Sequence, residues 1–311
     1  MTGLSLLIPC YNAEKYISIF LEHLKELSVD FDEIIFYDDY SSDNTVKLLH
    51  DSGHKVIRGN VNEGPGFARN RLAEEAKYDY IHFHDIDDKF NPEFLPIVSR
   101  LLEQSDSDVI VGSAHWIDSK TEEIIIKWEY DQASIEKDSI GYFLSNPLGI
   151  INTIYKKTLF AKSGGFDEQL RCWEDADLHV KLAISGAKFS VTKEVLAYSL
   201  RHNNGISQDQ NWCNECRLEF LKKYLNQLPP HYESVILSQL GKCALQFYYA
   251  ASIKKLEECI TIGRKYGYTL PDTNNPILKF LKKSPLPSKV IYDLQKLSVF
   301  ISKKIAQVFK T

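Results

Sequence analysis

No uninterrupted apolar run in the 311 residues reaches the ~18 needed for a transmembrane helix. The chain goes from Met1 straight into apolar residues, without the basic n-region and small-residue cleavage site of a secretory signal. Both absences place the expected site of action in the cytoplasm, with thiols reduced. Cysteine is scattered: Cys10, Cys172, Cys213, Cys216, Cys243 and Cys259 form no disulfide framework. Cys213 and Cys216 make one C-x-x-C, but a structural zinc site needs a second pair, and no C-x-x-C or H-x3–5-H partner exists. Bulk positive charge is lacking too. The net charge is −5, so nothing in the composition points to nucleic acid. The basic residues instead gather at one end: Lys279 to Thr311 holds eight Lys and one acid, Asp293. There is no internal repeat.

At 44% hydrophobic and 25% charged residues, the chain can build a core without disulfide or metal staples. Leu4 to Ile8 reads as a buried strand closed by Pro9, and Ala13 to Leu27 has helical periodicity. Further strands are expected at Ile34–Tyr37, His54–Arg58 and Tyr80–His84. Helices are expected at Ser42–His50, capped by Ser42 or Asp43, and at Gly66–Ala76. Val109–Val111 and Glu123–Trp128 look like strands, Glu174–Ser185 is a strong helix stopped by Gly186, and Phe189–Tyr198 holds one or two more strands. Strands alternating with helices predict an α/β, Rossmann-like, mainly parallel sheet flanked by helices. Strand signals vanish after about 206, which predicts a catalytic domain over 1–205 and a helical C-terminal region over 206–311.

In such sheets ligands bind beyond the carboxyl ends of the strands. Asp38, Asp39, Asp85, Asp87 and Asp88 all fall there. Two carboxylates at i and i+2 in Asp85-Ile86-Asp87 can turn into one loop and offer hard oxygen ligands to Mg2+ or Mn2+. A solvated acidic turn is the bland alternative. Glu174 and Asp175 open a helix; there an acid either complements the helix dipole or serves as a general base on a rigid element.

Taken together, six ordered segments resemble the family 2 glycosyltransferases, inverting enzymes of the GT-A fold. They are Ile8-Pro9-Cys10-Tyr11-Asn12-Ala13-Glu14, Tyr37 to Thr45, Asn62 to Asn70, His84 to Asp88, Gly164 to Glu168, and Trp173-Glu174-Asp175. Two departures stand out: Tyr40 occupies a position where Gly is usual, and Arg71-Leu72 replaces a usual Gly-containing pair.

The resemblance implies roles. Pro9, Tyr11 and Glu14 would line the nucleotide pocket, and Asp39 would accept from the base, as from uracil N3–H. Arg69 would sit near the base or diphosphate. Asp85 would face the ribose or metal, Asp87 would bind the metal, Trp173 and Glu174 would contact the acceptor or donor sugar, and Asp175 would be the base. His202 resembles a position that adds a metal or diphosphate contact in some relatives; a solvated loop histidine is the alternative. The activity implied is transfer of a hexose or N-acetylhexosamine from a nucleotide-diphosphate sugar, a UDP-sugar, to a glycan or lipid-linked acceptor in surface polysaccharide or glycoconjugate synthesis. A divalent metal, Mn2+ or Mg2+, would be the cofactor.

Two other classes compete. A dinucleotide oxidoreductase is suggested by Gly64-x-Gly66, but Arg69 replaces the third glycine and the strand–turn–helix placement is wrong. A sugar-nucleotide-binding protein without activity could use the same scaffold; the presence of both Asp87 and Asp175 speaks against it. Finally, Val290 to Phe309 has apolar residues at helical spacing with Lys289, Lys296, Lys303, Lys304 and Lys310 around them. A basic amphipathic helix of this kind over 289–310 could touch the inner face of a membrane or pack on the protein.

Overall fold

The structure, a computed structural model, describes residues 3–201 and 209–267, together with Val290 and Asp293. The chain forms two compact units, Met1–Gln208 and Asp209–Thr311.

The first unit opens with β1 (Leu4–Cys10), α1 (Glu14–Lys25), β2 (Glu33–Asp38), α2 (Thr45–Asp51), β3 (Lys55–Arg58), α3 (Pro65–Glu75) and β4 (Tyr80–Phe83). It continues with β5 (Lys89–Phe90), α4 (Phe94–Gln104), β6 (Val109–Asp118), β7 (Ile124–Trp128), α5 (Gln132–Lys137) and α6 (Ser139–Ser145). The last elements are β8 (Thr153–Lys156), α7 (Lys157–Lys162), α8 (Glu174–Ile184) and β9 (Phe189–Arg201). All nine strands form one sheet in the order β3-β2-β1-β4-β8-β6-β9-β5, with β7 on β6. Pairing is parallel from β3 to β4 and again between β6 and β9. β8, β5 and β7 pair antiparallel. The sheet is an α/β sheet flanked by helices, parallel through the half that carries the first four loops.

β1 is apolar on both faces because both are covered: Leu6, Leu7 and Ile8 are wholly buried. One core runs between the sheet and α1 and α4, through Ile17, Phe20, Phe36, Phe90, Phe94 and Val98. The sequence predicts that Pro9 ends β1, yet the strand runs on through Cys10, with Pro9 opposite Tyr37. The β1–β4 ladder has already ended at Leu7–Phe83, so the missing N–H of Pro9 falls where one side is open. α2 starts three residues later than expected. The Ser41 and Ser42 N–H groups are taken by Asp38 and Asn12, and Asp43 Oδ1 accepts from Thr45 N at 3.0 Å. β9 is one strand of 13 residues, with irregular register against β6 near Ser113.

The described part of the second unit is helical: α9 (Gln210–Gln227), α10 (Glu233–Tyr249) and α11 (Ile253–Lys265). Asp209 caps α9 by accepting from Trp212 N at 3.0 Å. Cys213 and Cys216 lie within α9 and are not joined in a disulfide. No helix among the described residues is long and apolar enough to cross a membrane.

Candidate active site

Four loops leave the carboxyl ends of β1 to β4, and short polar side chains fasten them to one another. Asn12 sits in the left-handed region at φ 47°, which asparagine tolerates better than most residues. Its N–H donates to Ser41 Oγ at 2.8 Å, and its Oδ1 accepts from Ser42 N at 2.9 Å. Glu14 accepts from Asn44 N at 3.1 Å and from Asn44 Nδ2 at 2.8 Å. In the structure Glu14 therefore ties the first loop to the second. Tyr11, on the first loop, is half exposed.

Asp39 is buried, and its two oxygens accept from Glu63 N at 2.9 Å and Gly64 N at 2.8 Å. It thus shapes the turn that enters α3; each carboxylate oxygen keeps a second lone pair for a ligand. Its neighbour Asp38 is fully buried and receives Ser41 N at 3.2 Å. Tyr40 between these loops has φ 65°, and a residue with a Cβ there costs roughly 1–2 kcal/mol. A backbone of this kind favours glycine. The Arg58 guanidinium stands 6.0 Å over the Tyr40 ring.

The β4 loop divides its acids. His84, buried and stacked on Phe90 at 3.6 Å, anchors its start. Burial and the neighbouring His82 hold the His84 pKa well down, so the ring is neutral. Asp85 accepts from Arg69 Nη2 at 2.8 Å. Asp88 is buried and accepts from Leu200 N at 2.8 Å, which pins the loop to β9. Burial, then the charges of Asp87 and Asp85, push the Asp88 pKa well up. Asp87 lies between, partly exposed. His202 lies outside the described residues. Among the described residues, no three His, Cys, Asp or Glu side chains converge as a metal-ligand group.

Arg69 joins this loop to the helix opposite. It is buried on α3, with Nη2 on Asp85 and Nη1 on Glu174 Oε1 at 2.7 Å. Burial works to lower its pKa, but the Asp85 and Glu174 charges outweigh that and raise it. Glu174 and Asp175 form the first turn of α8, entered through Trp173 at φ 69°. A left-handed tryptophan stores about 1–3 kcal/mol of strain, a cost found mostly at functional sites. The Asp175 pKa is raised to about 7 by burial and then by the Glu174 charge; Arg69 and the Ala176 N–H work against them. Beneath it, His179 Nδ1 lies 2.6 Å from the Asp175 carbonyl oxygen, and His179 Nε2 lies 2.8 Å from Tyr155 Oη. Burial lowers the His179 pKa to about 3, so the ring is neutral. Tyr155 donates to Nε2, and Nδ1–H donates to the carbonyl.

Asn70 completes the frame. Its amide accepts from Phe166 N at 2.8 Å and donates to Phe166 O at 3.0 Å and Glu168 at 2.8 Å. A Cβ on Gly165, which has φ 59°, would meet Asn70 Oδ1 at 2.5 Å. Of the residues read from the sequence, the structure brings Arg69, Asp85 and Glu174 into contact, with Asp175 beside them. Asp38, Asn12, Asn70, His179 and Tyr155 were not singled out as working residues. Asp38, Asn70 and Asn12 stood within quoted motifs, Asp38 as an acid at a strand end; His179 and Tyr155 give no local signal.

Acids at the ends of parallel strands thus face a helix-borne carboxyl held near neutrality, an arrangement able to take or give a proton. The family model described as glycosyl transferase family 2 matches residues 5–162, and the chain belongs to that family. It is 28% identical over 291 residues to the amylovoran biosynthesis glycosyltransferase AmsB of Erwinia amylovora, covering 89% of this chain and 94% of AmsB. It is 26% identical over 215 residues to the poly(ribitol-phosphate) beta-N-acetylglucosaminyltransferase TarS of Staphylococcus aureus, covering 66% of this chain but only 36% of TarS. The crystal structure of TarS 1–349 with UDP-GlcNAc superposes at a TM-score of 0.56 and 19% identity, over 86% of this chain and 92% of that one. The mannosyltransferase PcManGT from Pyrobaculum calidifontis, solved with GDP-Man and Mn2+, superposes at 0.57 and 14% identity, over 89% and 78%. These superpositions establish a shared GT-A fold.

Proposed function

We propose that this glycosyltransferase moves a sugar from a UDP-sugar to an acceptor hydroxyl with inversion, in the synthesis of a surface polysaccharide or glycoconjugate. The observation that carries the reading is Asp175: a carboxyl of pKa about 7 at a helix start, facing the Asp85 loop through the Arg69 bridge. TarS and AmsB, whose names record poly(ribitol-phosphate) and amylovoran as their products' context, support the polysaccharide assignment. UDP-GlcNAc in TarS supports the uridine donor.

In this mechanism Asp175 Oδ takes the acceptor proton as the hydroxyl oxygen attacks the anomeric carbon. The bond from that carbon to the diphosphate oxygen breaks on the opposite face, and the nucleoside diphosphate leaves with the electron pair. One base and in-line attack invert the centre. A base near pKa 7 is half ionised at working pH and still accepts a proton well. The residues present fit a divalent cation. Asp87 and Asp85 supply hard oxygens, and their charges already press on Asp88. With one or two carboxylates, the remaining ligands would be diphosphate oxygens and water, the usual set for such ions. The ion would offset the charge that develops on the leaving group. The Mn2+ of PcManGT supports this choice.

The test is a screen of nucleotide sugars for hydrolysis with Mn2+ or Mg2+. One UDP-sugar should be hydrolysed, EDTA should abolish the reaction, and Asp87→Ala should weaken metal and UDP binding together. Full activity in EDTA overturns the metal role; hydrolysis of none overturns the donor assignment.

The tail at 289–310 is proposed to give reversible contact with anionic headgroups. Only Val290 and Asp293 of it are described; Asp293 Oδ1 accepts from Tyr248 Oη at 2.6 Å. The full chain should pellet with phosphatidylglycerol vesicles at low salt, and a chain ending near Lys283 should not. Equal pelleting of the two removes the tail from membrane binding.

A further inference from the structure

One edge of the sheet takes no part in the chemistry above. β6 gives one side to β9 along Val109–Asp118. Its other side is shared, with β8 pairing at Val109–Val111 and β7 at Ala114–Ile117. β7 therefore continues the layer where β8 stops, and no strand among the described residues pairs with its far side. Such an edge presents a row of N–H and C=O groups that another strand can take up.

The side chains of β7 run against what a solvent-facing edge needs. Ile124, Ile125 and Ile126 are 50%, 52% and 40% exposed. Side chains along a strand alternate between its faces, so three exposed residues in a row leave both faces of β7 open. A single exposed apolar residue is ordinary, but three consecutive β-branched ones on an open edge make a strong pairing segment. A lysine or a bulge commonly deters such pairing. β7 has both, and a second β7 accommodates each of them. The sequence reads Glu123-Ile124-Ile125-Ile126-Lys127. Two such strands laid antiparallel with Ile125 opposite Ile125 set Ile124 against Ile126, and Glu123 against Lys127 at both ends. Opposite charges facing each other across strands attract. A register one residue off sets Lys127 against Ile124, or against Glu122, which Lys89 already holds at 2.9 Å. The bulge fits the same symmetry. Ile117 pairs with Ile124 and Trp116 with Ile126, so Ile125 is the extra residue. It falls on the two-fold axis, where the bend of one copy meets the same bend of the other.

We propose that β7 is a self-association edge: two copies of this chain pair antiparallel through Glu123–Lys127, about a two-fold axis at Ile125. The contact is isologous, with Glu123 of each copy on Lys127 of the other, and it closes at two chains. It requires no donor, metal or acceptor, so it stands apart from the glycosyltransfer reading.

Sedimentation velocity of the full chain tests it between about 1 and 100 µM, where an interface of modest size assembles. The parent, 35.7 kDa per chain, should pass from monomer to dimer across that range. Ile125→Lys sets two ammonium groups on the axis and should stay monomeric throughout. Glu123→Lys turns both end pairs repulsive and should weaken the dimer about ten-fold or more. Combining it with Lys127→Glu restores opposite charges and should bring the dimer constant back to within about three-fold of the parent. All three positions are exposed, and circular dichroism melts confirm that each variant is folded. A parent that is monomeric at the highest concentration overturns the proposal. So does a parent dimer that Ile125→Lys and Glu123→Lys leave intact, since another surface then holds it. Failure of the charge swap to restore the dimer overturns the antiparallel register.

Discussion

Asp175→Asn should lower turnover by roughly 10²–10⁴ while leaving UDP affinity within about two-fold of the parent. The amide keeps the shape of the carboxyl and the hydrogen bond from Ala176 N, now 2.7 Å from Oδ1, but cannot take a proton. Steady-state kinetics on the variant and calorimetric titration with UDP check the two halves. Near-normal transfer would show that another group acts as base. The parent enzyme should also show a kcat/KM profile that rises with pH to an inflection near 7, the pKa at which the Glu174–Asp175 pair holds its proton. The same shift has a stability consequence of definite sign. Because the folded pKa of this acid is raised, the folded state holds the proton longer than the unfolded state. Its contribution is full below the usual aspartate pKa of about 4 and is lost as pH rises through 7. Asp175→Asn should therefore melt above the parent at pH 8, and the gap should close toward pH 4.

Removing Arg69 should cost the most stability. Its guanidinium is the partner of Glu174, itself buried, and a buried charge left alone costs about 3–5 kcal/mol. Arg69→Met should lower the melting temperature by roughly 6–20 °C in a unit of this size. Arg69→Lys should recover part of that, since one ammonium cannot fork onto Asp85 and Glu174 at once. Arg69 also holds the Asp175 pKa down, so any activity left in Arg69→Lys should have its inflection displaced little, and in Arg69→Met displaced above 7. Differential scanning calorimetry and pH–rate profiles measure both effects. A melting temperature within 2 °C of the parent would show that the bridge contributes little.

Local pattern carries information about element ends and much less about what meets across the fold, and this chain illustrates both. Apolar runs stopped by acids placed Asp38, Asp85 and Asp87 at strand ends, because a buried strand and its polar exit are written in consecutive residues. The opening of α8 by Glu174 and Asp175 was legible for the same reason. The ordered motifs added the fold family, which residue spacing alone does not supply. Arg69 was read as a donor contact; its grip on Glu174, 105 residues away, depends on how α3 and α8 face each other. Asp39 likewise looked like a ligand group, and its hold on Glu63 and Gly64 appears only once the third loop folds over the second. The antiparallel entry of β8 between β4 and β6 left no trace in the four residues Thr153–Lys156. Trp173 and Tyr40 are the opposite case. Their left-handed backbones run against their own preferences, and strained local choices of this kind are those that local reading misses.

The central claim is single-displacement chemistry by Asp175 on a nucleotide sugar, and the configuration of the first product tests it without knowledge of the acceptor. Real-time proton NMR of an α-linked UDP-sugar, hydrolysed by the enzyme with Mn2+, resolves the anomeric proton before mutarotation mixes the forms. The predicted result is a free sugar that appears first as the β-anomer, at a rate cut by roughly 10²–10⁴ in Asp175→Asn. Initial release of the α-anomer, or an unchanged rate in that variant, would contradict the account.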